Sequence, residues 1–569
     1  MPSSPNSLTP VQRFIRLLRL DIKDVTNIYV FAVFSGLLSL SLPLGIQAII
    51  NLIMGGRIST SWILLVVLVV ISVAVSGVLQ IYQLRIVENL QQKFYAKATF
   101  EFAYRIPRMK MEALNNFHAP ELVNRYFDIM GVQKGLPKLL ISFTAATLQI
   151  IFGLILLSIY HPFFIAFSLV LVIIVYVIFR LTAQPALDTN LTESKHKYKT
   201  AHWLEEIART ISTFKISGKT ILPLQKADVH VKKYLEARED HFKILVRQYA
   251  LMISFKVIIV AGLLAIGGIL VMEQIMNIGQ FVAAEIIILL IVGSVEKLIE
   301  NLEVIYDTLT SLEKVGQIFD IEIEDVQGLE FNVAEKGMDL ELKNFSFKYP
   351  DTDKFVLNDL NLKVNSCEKV VINGQNSSGK STLMHVLSGI YDLAQGGVSF
   401  NGLPIKNLNH ETFRGYVGAY MSEALLFEGT VLENISMGRE HVEFENIKTV
   451  VDKLLLTEFI KSLPEGYNTV INPLGKKISS SVQKKLLLAR SIVNMPQLLL
   501  MEYPIEDFDL KTQKLYIDYL TDVNACWTLV ATTQNEYFAK KADKVVILEE
   551  GKIKAIGTYE EVKHLATFY

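Results

Sequence analysis

The sequence has 569 residues, more than a single hydrophobic core usually holds, and 51% of them are hydrophobic. A mean hydropathy of +0.34 exceeds that of ordinary soluble multidomain proteins, which indicates that a large part of the chain lies in lipid. The formal net charge of −1, from 56 basic and 57 acidic side chains, shows no overall bias that would argue for nucleic acid as a partner or for an acidic substrate.

The first 26 residues form an N-terminal elbow segment in our interpretation. They lack the small-residue cleavage site of a secretory signal. Their cations lie among apolar residues, a pattern typical of a helix at the membrane interface that leads into a span. The cations are Arg13, Arg16, Arg19 and Lys23.

Six apolar stretches are long enough to cross a bilayer, which takes about 20 helical residues. The two long loops between them, 88–136 and 184–247, hold nearly all of the basic residues, whereas the short loops hold only Arg57. The positive-inside bias therefore predicts that the long loops and both termini are cytosolic. The stretches lie near residues 27–52, 61–87, 137–160, 162–183, 248–272 and 279–300.

The long loops show apolar residues at intervals of three and four, which predicts helices that continue beyond the membrane. Acidic residues then cluster in a linker at 319–338, at Asp320, Glu322, Glu324, Asp325, Glu330 and Glu335. From 339 to 569, short Val/Ile/Leu strands alternate with helical segments, as in an α/β domain. The predicted strands include Lys369–Ile372, Leu498–Met501 and Thr528–Thr532.

Three charged residues fall inside predicted spans, where each costs on the order of 3 kcal/mol near the bilayer centre. Lys256 and Glu296 lie at similar distances from the turn at 273–278, so the fifth and sixth spans can pair them. Glu285 lies nearer the outer face. A structural pair, the lining of a polar cavity and direct contact with a substrate all remain open.

The chain has two cysteines, Cys367 and Cys526, both in its hydrophilic second half. A disulfide framework or a metal site would need more ligands at tighter spacing. We therefore expect two ordinary buried thiols.

A phosphate-binding motif, G-x-x-x-x-G-K-[ST], follows a predicted strand directly and precedes a helical run. Its glycines permit a tight loop whose backbone N–H groups cradle phosphates, its lysine reaches the β/γ oxygens, and its serine offers a hydroxyl to Mg²⁺. The motif predicts binding of ATP with Mg²⁺. Its residues are Gly374, Gln375, Asn376, Ser377, Ser378, Gly379, Lys380, Ser381 and Thr382.

With this motif behind six spans, the chain resembles the ABC exporter family over nearly its whole length. The resemblance implies an all-α six-helix transmembrane domain at 27–318 and an α/β P-loop nucleotide-binding domain at 339–569. It implies that Tyr349 stacks on adenine, although Tyr349 can also be a plain strand-edge residue. The stretch Phe427–Ile435 resembles the segment after the family's Q-loop, and Asp509 fits the D-loop aspartate.

Several positions depart from the family's pattern. Ser422 stands at the Q-loop glutamine, and Ser479, Ser480 and Ser481 stand within the signature that reads Leu-Ser-Gly-Gly-Gln in the family. Gln534 stands at the switch histidine and lacks an ionisable ring. In the family each ATP lies between one domain's P-loop and its partner's signature, so neither a homodimer nor a heterodimer with a standard partner would have a wholly standard site.

The Walker B region reads Met501-Glu502-Tyr503-Pro504. Counting back from Asp509, Glu502 takes the position of the Mg²⁺-binding aspartate, and Tyr503 that of the catalytic glutamate. Loss of a general base typically costs about 10²- to 10⁴-fold in rate, and a phenol with a pKa near 10 is a poor replacement. A shift of one residue would make Glu502 the base and put Met501 at the metal.

Two segments of the long loops, Phe117–Arg125 and Glu205–Lys215, resemble the coupling helices that link nucleotide domains to spans in this family. The segments Ser41–Gln47, Gly267–Val271 and Gly279–Phe281 look most like bacterial type I secretion exporters of peptides and proteins, which imply a periplasmic adaptor. No peptidase domain precedes the first span, which argues against a leader-processing exporter.

The sequence thus predicts an ABC-type exporter subunit of the bacterial inner membrane, in contact with lipid and paired with a second exporter half. It would bind MgATP, hydrolyse it slowly or not at all, and export an unknown substrate. The alternative is a catalytically inactive ATP-binding membrane subunit or scaffold that regulates another transporter. An exporter predicts turnover stimulated by substrate, whereas a scaffold predicts stable association with another membrane protein and no turnover.

Overall fold

The computed structural model describes residues 8–54, 60–114, 119–160, 162–324, 328–331, 337–350, 352–391, 394–472, 475 and 477–569. The predictions on Arg57, Phe117, Asp325 and Glu335 lie outside these ranges. The chain divides into two compact units. The first comprises Met1–Pro107 and His118–Ile321, and the second comprises Arg108–Phe117 and Glu322–Tyr569.

The first unit is all-α. Its longest helices have 46, 48 and 41 residues, so they exceed the length that a bilayer needs, as the periodicity of the long loops predicts. The helices are α1 (Pro10–Leu20), α2 (Ile22–Ser39), α3 (Ser41–Met54), α4 (Thr60–Arg105), α5 (Met111–Leu114, in the second unit), α6 (Ala119–Asn124), α7 (Asp128–Pro137), α8 (Thr144–Tyr160), α9 (Pro162–Arg209), α10 (Ile211–Ile216), α11 (Leu222–Gly262), α12 (Gly268–Met272), α13 (Ile278–Glu300) and α14 (Leu302–Phe319).

Six helical stretches within the described ranges are long and apolar enough to span a membrane, which confirms the predicted six-span architecture. Some of these stretches combine two or more of the helices above, since π-helical turns at Lys138–Phe143 and Leu263–Gly267 join their neighbours without a break. The stretches are Ile22–Met54, Thr60–Arg108, Glu121–Tyr160, Pro162–Arg209, Leu222–Met272 and Ile278–Phe319.

The predicted charge pair between the fifth and sixth spans is present. Nζ of Lys256 lies 3.2 Å from Oε2 of Glu296, and both side chains remain partly exposed in this chain. Glu285, about three helical turns from Glu296 on α13, is partly buried. The pairing supports a structural role for Lys256 and Glu296.

The elbow segment forms a capped helix. Thr9 and Gln12 make a capping box at the start of α1. The guanidinium of Arg13 is buried and pairs with Glu313 and Asp320 at the end of α14. These two carboxylates compensate the desolvation of Arg13 and hold α1 against the end of α14 within the first unit.

The second unit is built on strands. A four-stranded antiparallel sheet has the order β2-β1-β4-β5, and a six-stranded sheet has the order β12-β11-β3-β10-β9-β6 with only β12 antiparallel. The strands are β1 (Leu340–Phe347), β2 (Leu357–Val364), β3 (Lys369–Asn373), β4 (Ala394–Phe400), β5 (Leu403–Pro404), β6 (Val417–Tyr420), β7 (Gly429–Thr430), β8 (Val470–Ile471), β9 (Leu498–Glu502), β10 (Thr528–Thr532), β11 (Lys544–Glu549) and β12 (Lys552–Gly557).

The parallel strands are buried on both faces, which explains why β3, β9 and β10 read as continuous apolar runs. Val370 and Ile372 of β3 pack toward the four-stranded sheet, and Val371 between them packs toward the helices of the opposite face. The helices are α15 (Lys380–Leu387), α16 (His410–Gly415), α17 (Val431–Ser436), α18 (Phe444–Lys453), α19 (Thr457–Ser462), α20 (Ser480–Ile492), α21 (Leu510–Leu520), α22 (Glu536–Lys541) and α23 (Tyr559–Val562).

A segment of the first long loop belongs to the second unit. Met109 pairs with Ile323 as an isolated antiparallel bridge, and Lys110 N donates to Glu322 O at 3.0 Å. Arg108 pairs with Glu411 at 2.7 Å. This association could not be predicted from the sequence, because a bridge between two residues so far apart in the chain leaves no periodic pattern.

The expectation of two ordinary buried thiols is wrong. Cys367 and Cys526 form a disulfide, with their Cα atoms 4.9 Å apart and a separation of 159 positions in sequence. Both residues are only partly buried. The prediction failed because Cys367 precedes β3 and Cys526 precedes β10, and the sequence does not reveal that these two strands are neighbours.

Candidate functional site

The phosphate-binding motif joins β3 to α15 as a tight loop. Gly379 is the N-cap of α15 and has a φ of +101°, a conformation that side chains rarely adopt. A Cβ on Gly374 would lie 2.1 Å from the carbonyl oxygen of Leu548, and one on Gly379 would lie 2.6 Å from Cδ2 of Leu357. Only glycine fits either position. The tight loop that the two glycines permit leads into the N-terminus of α15, where backbone N–H groups can bind a phosphate.

Lys380 folds back over this loop. Its Nζ donates to the carbonyl oxygens of Gly374 at 2.8 Å and Gln375 at 2.7 Å, and more weakly to Ser378 Oγ at 3.4 Å. Burial lowers the pKa of Lys380, partly offset by the charge of Glu502. The Lys380 ammonium therefore lies at the loop that precedes the N-terminus of α15. An anion bound there would interact with the ammonium and with the positive end of the helix dipole.

Glu502 lies beside the loop at the end of β9 and is 4% exposed. Its Oε2 accepts from the backbone N–H of Ser422 at 3.0 Å, and its carboxylate is hydrogen-bonded to the side chain of Ser381. Burial would raise the pKa of Glu502, but the hydrogen bonds from Ser381 and Ser422 outweigh it and hold the pKa below its usual value. The sequence-predicted residues Ser381, Ser422 and Glu502 are thus brought together.

This cluster fits Mg²⁺. Magnesium prefers oxygen ligands and is usually held by one or two protein groups together with phosphates and water. Ser381 and Glu502 supply one hydroxyl and one ionised carboxylate within hydrogen-bonding reach of each other. No group of three or more His, Cys, Asp or Glu ligands occurs in the part of the chain that the structure describes, so a protein-only metal cage is not what these residues build.

Tyr503 follows Glu502 in the left-handed region, with a φ of +48°. Its backbone N–H donates to Thr532 O at 3.0 Å, and its ring centroid lies 6.0 Å from Nζ of Lys380. Burial, with the nearby charges of Glu502 and Glu506, raises the pKa of Tyr503 above its ordinary value. The phenol is therefore close to the loop and stays protonated at neutral pH.

Gln534 lies just beyond the end of β10, next to Thr533, and is partly buried.

Glu506 also lies near this site. Thr533 donates its hydroxyl proton to Oε1 of Glu506 at 2.5 Å. Glu506 was missed by the sequence reasoning, which followed family positions only. The signal available was the acidic run of Glu502, Glu506 and Asp507 directly after an apolar strand.

Tyr349 is half-buried at the edge of the site. Its hydroxyl lies 3.0 Å from Thr382 Oγ1, which ties the ring to the first turn of α15. The ring makes edge contacts with Phe347 and Tyr391 at 5.2 and 5.6 Å. The Tyr349 ring therefore lies beside the first turn of α15, next to the phosphate loop, where a residue that stacks on a base would be needed.

Ser479, Ser480 and Ser481 begin α20 and are exposed. Ser479 is the N-cap and accepts from Val482 N at 3.4 Å. Their described contacts are local to this helix, so the structure does not bring them to the P-loop of the same chain. Asp509 likewise caps α21, accepting from Lys511 N and Thr512 N.

The second predicted coupling segment, Glu205–Lys215, extends from the last turn of α9 through most of α10. Trp203 holds this turn by donating Nε1–H to Pro223 O at 3.0 Å and by an edge contact with Phe214. Ile216, at the end of α10, is 87% exposed. A coupling role for the two segments stays a prediction, and Phe117 of the first lies outside the described residues.

Comparison with known proteins identifies both parts. The family model "ABC transporter transmembrane region" matches residues 25–295, and the model "ABC transporter" matches residues 357–506. A solved structure of a bacterial Atm1-family ABC exporter with ATP bound superposes with a TM-score of 0.81, covering 96% of each chain at 16% sequence identity. At that identity the match shows the fold.

Curated relatives match at 25–30% identity. The Transport/processing ATP-binding protein ComA of Streptococcus pneumoniae is 25% identical over 79% of this chain and 62% of its own length. A multidrug efflux ATP-binding/permease protein of Mycobacterium bovis is 29% identical over 52% of this chain and 25% of that protein. The putative multidrug export ATP-binding/permease protein YgaD of Bacillus subtilis is 30% identical over 40% of each.

The chain thus spans from a quarter to about three fifths of the length of these relatives. The two family models lie in the expected order along one polypeptide, the first on the helices of the spans and the second on the domain that contains the phosphate loop. The chain belongs to the ABC transporter family, with a transmembrane region followed by an ATP-binding domain, and it has the fold of an Atm1-family exporter.

Proposed function

We propose that this chain is an exporter subunit that binds MgATP and couples closure of its nucleotide-binding domain to outward transport, with slow or absent hydrolysis. The observation that carries this proposal is the cluster around the phosphate loop: Lys380 and the Glu502–Ser381 pair are in place, while a protonated phenol occupies the position next to Glu502. The site is equipped to hold a nucleotide and poorly equipped to activate water.

In this proposal, phosphates lie against the loop Gly374–Thr382 and its lysine, and adenine stacks on Tyr349. Ser381 and Glu502 hold Mg²⁺, which neutralises phosphate charge when bound. The alternative register, with Glu502 as the base, is disfavoured because its carboxylate is already bonded to Ser381 and Met501 is fully buried. Tyr503, Gln534 and Ser422 then replace the residues that would take a proton, contact the γ-phosphate and sense the metal.

A second copy or a related half would supply the opposing signature. The exposed position of Ser479, Ser480 and Ser481 at the start of α20 suits contact with another chain, although their side chains hinder the close approach that glycine allows. We propose a dimer of such halves in a bacterial inner membrane, with both termini and the nucleotide domain in the cytosol.

The proposed cargo is a peptide or protein, delivered with the help of a periplasmic adaptor. Support comes from the small-residue segments in the first, fifth and sixth spans, which look like those of type I secretion exporters, and from the relationship to a protein named for transport and processing. Spans of this kind recognise cargo through apolar and small residues, so the sequence leaves the individual substrate open.

A catalytically inactive membrane subunit or scaffold is the second candidate. The specific observation in its favour is the concentration of substitutions at one site, at Tyr503, Gln534, Ser422 and the signature serines. Such a protein would bind nucleotide to fix one conformation and would associate stably with another membrane protein.

The deciding experiment is steady-state ATP hydrolysis by the purified chain in lipid, with Lys380→Ala as the blank and with nucleotide binding measured in parallel. A rate clearly above the blank, increased by substrate, supports the exporter and contradicts the scaffold. Binding with a rate equal to the blank favours the scaffold or a chain that depends on a partner. Absence of nucleotide binding contradicts both.

A further inference from the structure

The cysteine pair lies at the opposite end of the central sheet from the phosphate loop. Cys367 is two residues before β3, Cys526 is two residues before β10, and these strands are parallel neighbours with Lys369 opposite Leu529. The Cα separation of 4.9 Å is within the range of about 4.4–6.8 Å that disulfides span without backbone movement. The chain has no further cysteine.

The backbone around the pair is fixed by contacts that do not involve sulfur. Cys367 N donates to Thr528 Oγ1 at 3.0 Å, and Thr528 Oγ1 also accepts from Met338 N at 3.0 Å. On the other side, Nζ of Lys369 donates to the carbonyl oxygens of Ala525 at 2.8 Å and Trp527 at 2.6 Å, the residues on either side of Cys526. Two reduced thiols would therefore remain adjacent.

The surroundings also favour thiol chemistry. Both cysteines are partly exposed, so a small thiol reagent can reach them. In the reduced form, Sγ of Cys367, 3.4 Å from the carbonyl oxygen of Cys526, can donate its proton there. Nζ of Lys369 is bonded to the carbonyl oxygens of Ala525 and Trp527, the two neighbours of Cys526 in sequence. A positive charge is therefore held near Cys526, and nearby positive charge favours the reactive thiolate.

We propose that Cys367 and Cys526 are a reversible redox site, a dithiol that low-molecular-weight disulfides such as glutathione disulfide oxidise to an intramolecular disulfide. One thiolate attacks a sulfur of glutathione disulfide and releases one glutathione. The second thiolate then displaces the other glutathione as the protein disulfide forms. Two protein thiols lose two electrons and two protons, which appear in two glutathione molecules.

The consequence is oxidation-dependent stability of the nucleotide-binding domain. The bond closes a loop of 159 residues that contains the phosphate loop, the signature serines and Glu502. Cross-linking so long a loop restricts the unfolded chain strongly, and for a domain of this size we expect the unfolding temperature to rise by about 5–10 °C. The inference rests on the proposed cytosolic side of this domain, where disulfides are otherwise rare.

The test uses the full chain in lipid nanodiscs without nucleotide, equilibrated in buffers of increasing glutathione disulfide fraction. Each sample is then denatured in an alkylating reagent, and the intact mass counts the free thiols. We expect the count to fall from two to zero without intermolecular dimers, and the unfolding temperature to rise in step. The matched variants Cys367→Ser and Cys526→Ser should show no rise.

Two alkylated thiols in every buffer would overturn the proposal, as would stable glutathione adducts or intermolecular dimers in place of the internal bond. A bond that persists in fully reducing buffer would also overturn it, because the site would then be a permanent cross-link. A disulfide that forms without raising the unfolding temperature would refute the stabilising role. None of these readouts involves nucleotide, so they are independent of whether the chain binds or hydrolyses ATP.

Discussion

A buried lysine lies near each end of the central sheet, Lys369 at the start of β3 and Lys380 at the start of α15, which follows the other end of β3. The two lysines make nearly the same contacts. Lys380 donates to the carbonyl oxygens of Gly374 and Gln375 at 2.8 and 2.7 Å, and Lys369 donates to those of Ala525 and Trp527 at 2.8 and 2.6 Å. Burial lowers the pKa of both, that of Lys369 to about 8.

The surroundings give the two lysines different roles. Lys380 stands at a helix N-terminus beside glycines that leave no room for a Cβ, so it can exchange two carbonyl oxygens for phosphate oxygens. Lys369 starts a strand, its own N–H donates to Asp543, and its partners lie in a turn next to the disulfide. Hydrogen bonds alone therefore do not distinguish a ligand-binding lysine from a structural one.

The sharpest test of this comparison replaces each lysine in turn. Lys380→Ala should weaken MgATP binding by about 10- to 100-fold, because it removes charge-assisted hydrogen bonds to phosphate. Lys369→Met, which keeps the side-chain volume, should change the affinity by less than about twofold, since distant sites act independently. Equilibrium binding of a fluorescent ATP analogue to the chain in lipid measures both.

Equal losses of affinity in the two lysine variants would show that the comparison is wrong, and that the two ends of the sheet are coupled. Lys461→Ala serves as a further control, since Lys461 lies exposed on α19 and pairs with Glu458. Its affinity should match that of the unmodified chain.

A smaller effect is expected at the position after Glu502. Tyr503→Glu would place a carboxylate beside the phosphate loop, and we expect ATP hydrolysis to rise by about tenfold, below the full value of a general base because Gln534 and the signature serines remain. Phosphate release by the chain in lipid measures the change. Tyr503→Gln is the matched control, and an equal rise in both variants would exclude general-base catalysis as its cause.

A further prediction concerns Lys369, and its effect is confined to alkaline pH. Its folded pKa of about 8 lies below the usual lysine value, so between about pH 8 and 10 the folded chain has lost a proton that the unfolded chain still holds. The free energy of unfolding should therefore rise with pH in this window, by roughly 2–3 kcal/mol. Below pH 8 both forms are protonated, and the cost of burying the charge is fully present.

Fluorescence-detected unfolding can follow this change, because the ring of Trp527 lies 5.7 Å from Nζ of Lys369. Lys369→Met should lack the rise with pH that the unmodified chain shows over the same window. An equal rise of the unfolding free energy with pH in Lys369→Met would mean that other groups cause it. The lowered pKa of Lys369 would then no longer support the comparison with Lys380.

Local patterns were enough to predict much of the molecule. Six spans followed from length and hydropathy, β3, β9 and β10 from their apolar runs, and the phosphate loop from one motif between a strand and a helix. Each of these depends on neighbours in sequence, through the period of a helix, the reach of a bilayer or the geometry of a tight loop. The pairing of Lys256 with Glu296 could also be predicted, since only a short turn separates their helices.

Tertiary structure alone decided the contacts between distant segments. The sequence spaces Cys367 and Cys526 by 159 residues and says nothing of the strand order that makes them neighbours. It separates Met109 from Ile323 even further, and it gives Thr533 and Glu506 no shared pattern. Local sequence patterns indicate which residues of a segment are buried. Which strand pairs with a given edge, and which group bonds a buried polar atom, depends on the packing of the whole domain.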